Sequence, residues 1–205
     1  MSSEPTISIK ERERALIDRA RAGDRSASRE LVDQHKDRLY AFIRRMVHHH
    51  HDAEEVCQEA FLKAFASLDS FSTEFRFSTW LFTIAYRVSL NHLRRKKALT
   101  GDMDFTSLRY TSGDSFFTAA ESEEAGRLRD LIWSAVDQLS PPQRATLVLF
   151  YRHEFGCHEI SRIMNLPVAT VKSHLHRGRN RLGELLARVP DGQLQAFRNR
   201  SGLAG

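Results

Sequence analysis

The chain has 205 residues, enough for one large domain or two small ones, and is 41% hydrophobic and 28% charged, a globular rather than a disordered composition. No apolar run approaches the roughly 18 residues needed to span a bilayer, and the N-terminal stretch MSSEPTISIKERERALIDRA holds no apolar core of a secretory signal, so a cytoplasmic protein is expected. A net charge of +5, two distant cysteines (Cys57 and Cys157), 10 Gly and 5 Pro exclude a disulfide framework and favour an all-helical protein.

Taken in chain order, the pattern predicts a first helix from roughly Ser8 to Ala22, stopped at Gly23. Asp24 stands at an N-cap, where its carboxylate can accept from free backbone amides. A second helix carries Leu31, Leu39, Phe42 and Ile43 at helical spacing and ends near His48. A third begins at Asp52, with Val56, Ala60, Ala64 and Phe65 on one stripe. A fourth starts near Phe77 and runs through Trp80, Leu81, Ile84 and Val88 to the basic run Arg94, Arg95, Lys96, Lys97. Residues 1–97 thus read as one helical domain.

Residues 98–123 read as a flexible acidic linker, rich in Ser, Thr, Gly and Asp. Phe105, Tyr110, Phe116 and Phe117 are odd for a pure spacer and suggest that the linker docks on something. A second domain is expected over 124–188. Ser140-Pro141-Pro142-Gln143 is a helix start, with Ser as N-cap, Pro at the first helical position and Gln at the third. A short helix from about His158 to Met164, the tight connection Asn165-Leu166-Pro167 and a long helix follow. The long helix carries Val171, Leu175, Gly178, Leu182 and Leu185 on one buried face. The tail 189–205 shows no pattern.

Short helix, tight turn and long helix form the helix-turn-helix plan. With the Val171–Leu175–Leu182 face buried, Val168, Ala169, Lys172, Ser173, His176 and Arg177 lie outside or flank it. Small residues at the start allow close approach to a major groove, and Lys172 and Arg177 can reach phosphates or guanine edges. Arg179 and Arg181 add cationic charge. The competing reading is a solvated basic surface helix. In the first domain, Phe71-Ser-Thr-Glu-Phe-Arg-Phe-Ser-Thr-Trp80 packs aromatics, hydroxyls and a cation ahead of a helix with a basic end. Such a set stacks on unpaired bases and holds a backbone, although Phe71, Phe77, Trp80 and Phe82 equally suit a helical core.

Three stretches together resemble the sigma-70 superfamily, and within it the small extracytoplasmic-function sigma factors. LIDRARAGDRSASRELVDQHKDRLYAFIRRMV with DAEEVCQEAFLKAF is similar to the first part of the family's region 2. FSTEFRFSTWLFTIAYRVSLNHLRRKK is similar to its promoter-melting part. LSPPQRATLVLFYRHEFGCHEISRIMNLPVATVKSHLHRGRNRL is similar to region 4. The resemblance implies two helical domains joined by a linker, a promoter-specificity subunit that is not itself an enzyme and carries no cofactor, core RNA polymerase (β′ clamp helices and β flap) and promoter DNA as partners, an anti-sigma factor as regulator, and no membrane insertion.

It implies site residues too. Asp52, Glu55, Gln58, Glu59 and Lys63 match the polymerase-binding surface. The loop Phe71–Phe77, with Phe75 and Arg76, and the helix bearing Thr79, Trp80, Arg87, Asn91, Arg94 and Arg95 match the reader of the single-stranded −10 element. The helix from Val168 and Ala169 through Thr170, Lys172, Ser173, His176 and Arg177 to Arg181 matches the duplex −35 reader. Three departures stand out: Arg87 where many relatives carry Asn, Gly156 in place of a small hydroxyl residue ahead of the short helix, and Ser161 at a usual Ala position. The LSPPQR…EIS…TVKSHL set also resembles regulators of the LuxR type, which would need an α/β domain at the N-terminus. A His/Cys metalloenzyme would need convergent ligands, and the run His48–His51 is read instead as a turn between helices. Cys57 is expected in the core.

Overall fold

The computed structural model describes residues 9–100 and 123–189. The expected linker aromatics and C-terminal tail lie outside them. Eight α-helices make up the described residues: α1 (Ile9–Arg21), α2 (Arg25–Val47), α3 (His50–Ala66), α4 (Phe77–Thr100), α5 (Glu123–Asp137), α6 (Pro141–Leu147), α7 (Cys157–Met164) and α8 (Val168–Ala187). Among the described residues there is no strand, so the α/β sensing domain that the regulator reading needs is not among them.

Asp24 caps α2 as its position predicts, accepting from the Ser26 and Ala27 amides at 2.8 and 3.2 Å. Arg19 adds charge-assisted bonds to the other carboxylate oxygen. Gly23 precedes it at φ +87°, the left-handed region that glycine enters without steric cost. Two boundaries differ from expectation. Helix α3 starts at His50 rather than Asp52, so half of the histidine run is helical; His48, at φ 67°, makes the break after α2. Ser140 stands at the N-cap of α6, but its hydroxyl makes no capping bond. There the start rests on Pro141, whose fixed φ and missing amide suit a first turn.

Helices α1–α4 pack as one unit around Leu31, Phe42, Ile43, Val56, Leu81 and Phe82, all at most 1% exposed. Helices α5–α8 form a second unit around Leu149, Ile160, Ile163 and Val171. Between α6 and α7 the chain takes a π-helical turn over Val148–Arg152, absent from the sequence reading because widened turns leave no pattern of their own. Gly178 lets α8 approach α6: a Cβ there would lie 3.1 Å from Leu147 Cδ1. The two units do not stand apart. Their buried side chains form a single continuous core, with Phe42 and Phe82 of the first unit against Phe155 and His153 of the second.

A candidate nucleic-acid interface in two parts

The helix-turn-helix is made by α7 and α8. Asn165 ends α7 in the left-handed conformation (φ 53°, ψ 51°), which asparagine tolerates well. Ser161 donates its hydroxyl to the Leu166 carbonyl at 2.5 Å. A departure from the expected Ala thus ties the turn to the short helix. At the start of α7 the Glu159 carboxylate accepts the Gly156 amide at 3.0 Å, partly offsetting the missing hydroxyl cap.

Val171, Leu175 and Gly178 of α8 are buried, as the spacing predicts, while Leu182 and Leu185, expected on the same face, are only half-buried against the core. Ala169, Lys172, His176, Arg177 and Arg181 face solvent, while Val168, Thr170 and Ser173 are half-buried at the rim. Arg181 is drawn onto Glu184 at 2.8 Å, and Asn180 onto His176 at 3.2 Å. The first turn of α8 carries no acidic residue, and Pro167 at its N-cap supplies no side-chain bond. Its free amides and the positive end of the helix dipole therefore point outward beside small residues, an arrangement that suits a phosphate oxygen.

In the first unit the structure divides the aromatic cluster. Phe71 and Phe77 are core residues, 5% and 1% exposed, packed edge to face on each other, and Trp80 lies half-buried against both. Their burial follows from apolar area: leaving two such rings in water costs more than a short polar loop recovers. Arg21 fixes the loop by donating to the Leu68 and Phe71 carbonyls at 3.2 and 2.5 Å. Phe75, Arg76, Arg87, Asn91, Arg94 and Arg95 remain exposed, while Phe71 and Phe77, expected beside them in the −10 set, are turned into the core. Thr79 is buried, its hydroxyl turned toward Glu159.

The α3 face is also divided. Glu55 and Gln58 are exposed, and Glu59 binds Lys63 at 2.7 Å, with Arg95 at 3.7 Å. Asp52 is engaged inside the unit by Lys96 at 2.7 Å and His92 at 3.2 Å. Burial raises its pKa, but Lys96 and His92 outweigh that and hold the carboxyl below its ordinary value. Sequence reasoning passed over Leu62, which is 71% exposed. It lies seven residues after Glu55 and so on the same face, and an isolated leucine on a charged stripe is the signal that marked it.

Histidines 48 and 153 are both buried where the units meet. Desolvation first, then Arg144 beside His48 and Arg38 beside His153, pushes each imidazole down to about 3. Both are therefore neutral in the fold, while in the unfolded chain they protonate below the usual value near 6.5. The unfolded state then binds more protons, so stability is full above pH 6.5 and is lost progressively as the pH falls toward 3. The expected result is a melting temperature that drops on acidification from pH 7 to 5, each histidine contributing up to about 1.4 kcal/mol per pH unit below its unfolded pKa. His153→Phe should flatten that slope in thermal melts; an unchanged slope would refute the assignment. Cys57 is buried in α3 and its thiol is pushed up to about 11 by burial, so it behaves as a core residue. Among the described residues no group of three or more His, Cys, Asp or Glu is placed to hold a metal.

The described residues thus hold two helical units, one presenting a helix-turn-helix and the other exposed arginines with Phe75. Residues 31–99 match the family described as Sigma-70 region 2, and residues 129–182 that described as Sigma-70, region 4. The chain belongs to the extracytoplasmic-function group of sigma-70 factors. It is 33% identical over 177 residues to the ECF RNA polymerase sigma factor SigW of Bacillus subtilis, covering 83% of this chain and 94% of that one. It is 32% identical to the RNA polymerase sigma-H factor of Pseudomonas aeruginosa, over 86% and 94% of the two chains. Among solved structures it is similar to the sigma factor RpoE in complex with the anti-sigma factor NepR from Bartonella quintana, with a TM-score of 0.65, 25% identity and 79% and 98% of the chains covered. A fold likeness extends to CnrH in complex with the cytosolic domain of CnrY, with a TM-score of 0.62, 24% identity and 87% and 99% coverage.

Proposed function

We propose that this chain directs core RNA polymerase to a set of promoters and helps melt them, and that an anti-sigma factor holds it inactive until a signal arrives. The observation that carries the reading is the pairing, in one chain and in family order, of an exposed recognition helix with a loop-and-helix surface that offers Phe75 among arginines. Helix α8 reads the −35 element as duplex, through Lys172, Ser173, His176 and Arg177 in the major groove and Val168, Ala169 and Thr170 at its phosphate-facing start. Arg181 supports the backbone contact.

On the first unit, Phe75, Arg76, Arg87, Asn91, Arg94 and Arg95 hold and stack the unpaired −10 strand. Phe71, Phe77, Thr79 and Trp80 shape that surface. The α3 face of Glu55, Gln58, Glu59 and Lys63, braced by Asp52, binds the β′ clamp helices, and the second unit meets the β flap. Specificity then arises from binding energy alone; the chemistry of RNA synthesis belongs to the polymerase, and the chain needs no cofactor. Its place of action is the cytoplasm, where polymerase and chromosome are. No helix of the described residues is long and apolar enough to cross a membrane.

The test is transcription in vitro by sigma-free core polymerase on a fragmented host genome, with and without this chain. New transcripts sharing two upstream elements support the reading; binding to duplex DNA without transcripts would replace it with a regulator acting on its own. Leu62 gives a narrower check, because a leucine 71% exposed on this charged face is apolar area that a docking partner would remove from water. Leu62→Glu is expected to weaken binding to core polymerase by about tenfold or more, about 1.4 kcal/mol, with no fall in melting temperature. Unchanged affinity in a titration of labelled chain would remove α3 from the interface.

A further inference from the structure

On the second unit, α5, the π-helical turn and α8 frame an apolar groove of about 490 Å³. Ile132 and Trp133 line it from α5, Leu182 and Leu186 from α8, and Tyr151 from the turn between α6 and α7. The first four are only half-buried, and Tyr151 is 59% exposed. Apolar area of this kind gains free energy when a further segment covers it.

Gly183 of α8 lies among these side chains and is exposed. A glycine inside a helix costs stability relative to alanine. The other glycine of α8, Gly178, is required by Leu147 of α6, as described above. At Gly183 an added Cβ would meet nothing within 4 Å. No described neighbour needs that space, whereas a segment laid along the groove would.

The chain supplies such a segment at the groove's edge. Helix α8 ends at Ala187, one residue beyond Leu186. Too short for a periodic pattern, the tail still opens on Val189-Pro190-Asp191-Gly192, with Pro at the second and Gly at the fourth position of a reversing turn. A chain reversed there runs back along α8 toward Gly183. Gln193-Leu194-Gln195-Ala196-Phe197 follows, and a Leu and a Phe three residues apart share one face in a helical turn. The chain from Val189 to Leu194 can reach about 17 Å, against about 6 Å of helix between Leu182 and Leu186.

We propose that the C-terminal segment 190–205 folds back on α8 and seats Leu194 and Phe197 in this groove. The docking is independent of the promoter function. Its consequence is competition: a protein that binds the same groove must displace the segment, and its apparent affinity falls by the fraction of chains whose groove is free.

Hydrogen exchange on the full chain, read by mass spectrometry, is the test. Amides of residues 194–198 should exchange about tenfold more slowly than in a free peptide of residues 190–205. Leu194→Asp with Phe197→Asp should abolish that protection and leave the helical circular dichroism of the chain in place. Gly183→Gln sets a better helix former where its Cβ meets open space, so it strengthens α8 while filling the groove, and should release the tail to the free-peptide rate. Tyr151→Ser, from an exposed position, is a second groove variant with the same expected release. A tail that exchanges at the free-peptide rate in the unsubstituted chain overturns the proposal. So does protection that survives both groove variants, which would place the tail elsewhere. Protection that rises with chain concentration would place it on a second copy and overturns the proposal as well.

Discussion

Arg177→Ala with Lys172→Ala is expected to reduce transcription from this chain's promoters by 100-fold or more while leaving its affinity for core polymerase unchanged. Both side chains are exposed on α8, on the side opposite the buried Val171, Leu175 and Gly178. Neither has a carboxylate partner among the described ion pairs, whereas Arg181 is held by Glu184. A bidentate arginine contact to a guanine is worth about 1–3 kcal/mol, and a phosphate contact contributes a salt-dependent share of its own. The single variants should separate the two roles. The substitution that removes a base contact relaxes the sequence preference at one position. The one that removes a phosphate contact weakens binding uniformly and lowers the salt slope by about one. Promoter-dependent transcription at several salt concentrations reads both. Activity within threefold of the unsubstituted chain would show that α8 does not enter the groove.

Arg144→Ala is expected to cost about 3 kcal/mol of stability and to lower the melting temperature by roughly 10 °C. The side chain is 5% exposed and its guanidinium serves both units at once. Besides the Arg45 and Met46 carbonyls at the end of α2, it donates to the Asp137 carbonyl at 2.5 Å and the Leu139 carbonyl at 3.0 Å, where α5 ends. Two helix C-termini thus lose a cation placed where the helix dipole favours one. The Asp137 carboxyl, already pushed up by burial, loses one of the cations that oppose that shift. Truncation leaves these acceptors buried with fewer donors, which is costlier than never having built the site. Arg144→Lys should recover only part of the loss, because an ammonium cannot reproduce the planar fork. Denaturant titration at pH 7 measures it; a loss below 1 kcal/mol would mean that solvent reaches these groups when the arginine is gone.

Local signals carried far into the structure where the physics is local. Asp24 announces α2 because an N-cap needs only a carboxylate two and three residues ahead of free amides. The stripe Val171–Leu175–Gly178 gives α8 its buried side because helical periodicity is a property of the segment, and the same stripe assigns Lys172 and Arg177 to solvent. The limits are as informative. Ser140 has the residue type of a cap but makes no cap bond, since the orientation of a short hydroxyl is settled by its neighbours. The cluster from Phe71 to Trp80 could not be divided from sequence, because a ring that stacks on a base and a ring that fills a core are the same residue at the same spacing. Burial decided it, sending Phe71 and Phe77 inward and leaving Phe75 out.

What the sequence determined by itself is therefore the helical class, the two units with their order in the chain, and the recognition helix with its exposed cations, all fixed by periodicity, capping and motif spacing. What only the tertiary structure decided is the meeting of those units. Arg144 on the end of α2, His153 against Phe42 and Phe82, and Arg162 over Phe75 join residues roughly 70 to 110 positions apart in the chain. No local pattern encodes such contacts. They depend on two separately formed surfaces being complementary in shape and charge, and that complementarity exists only once both are folded.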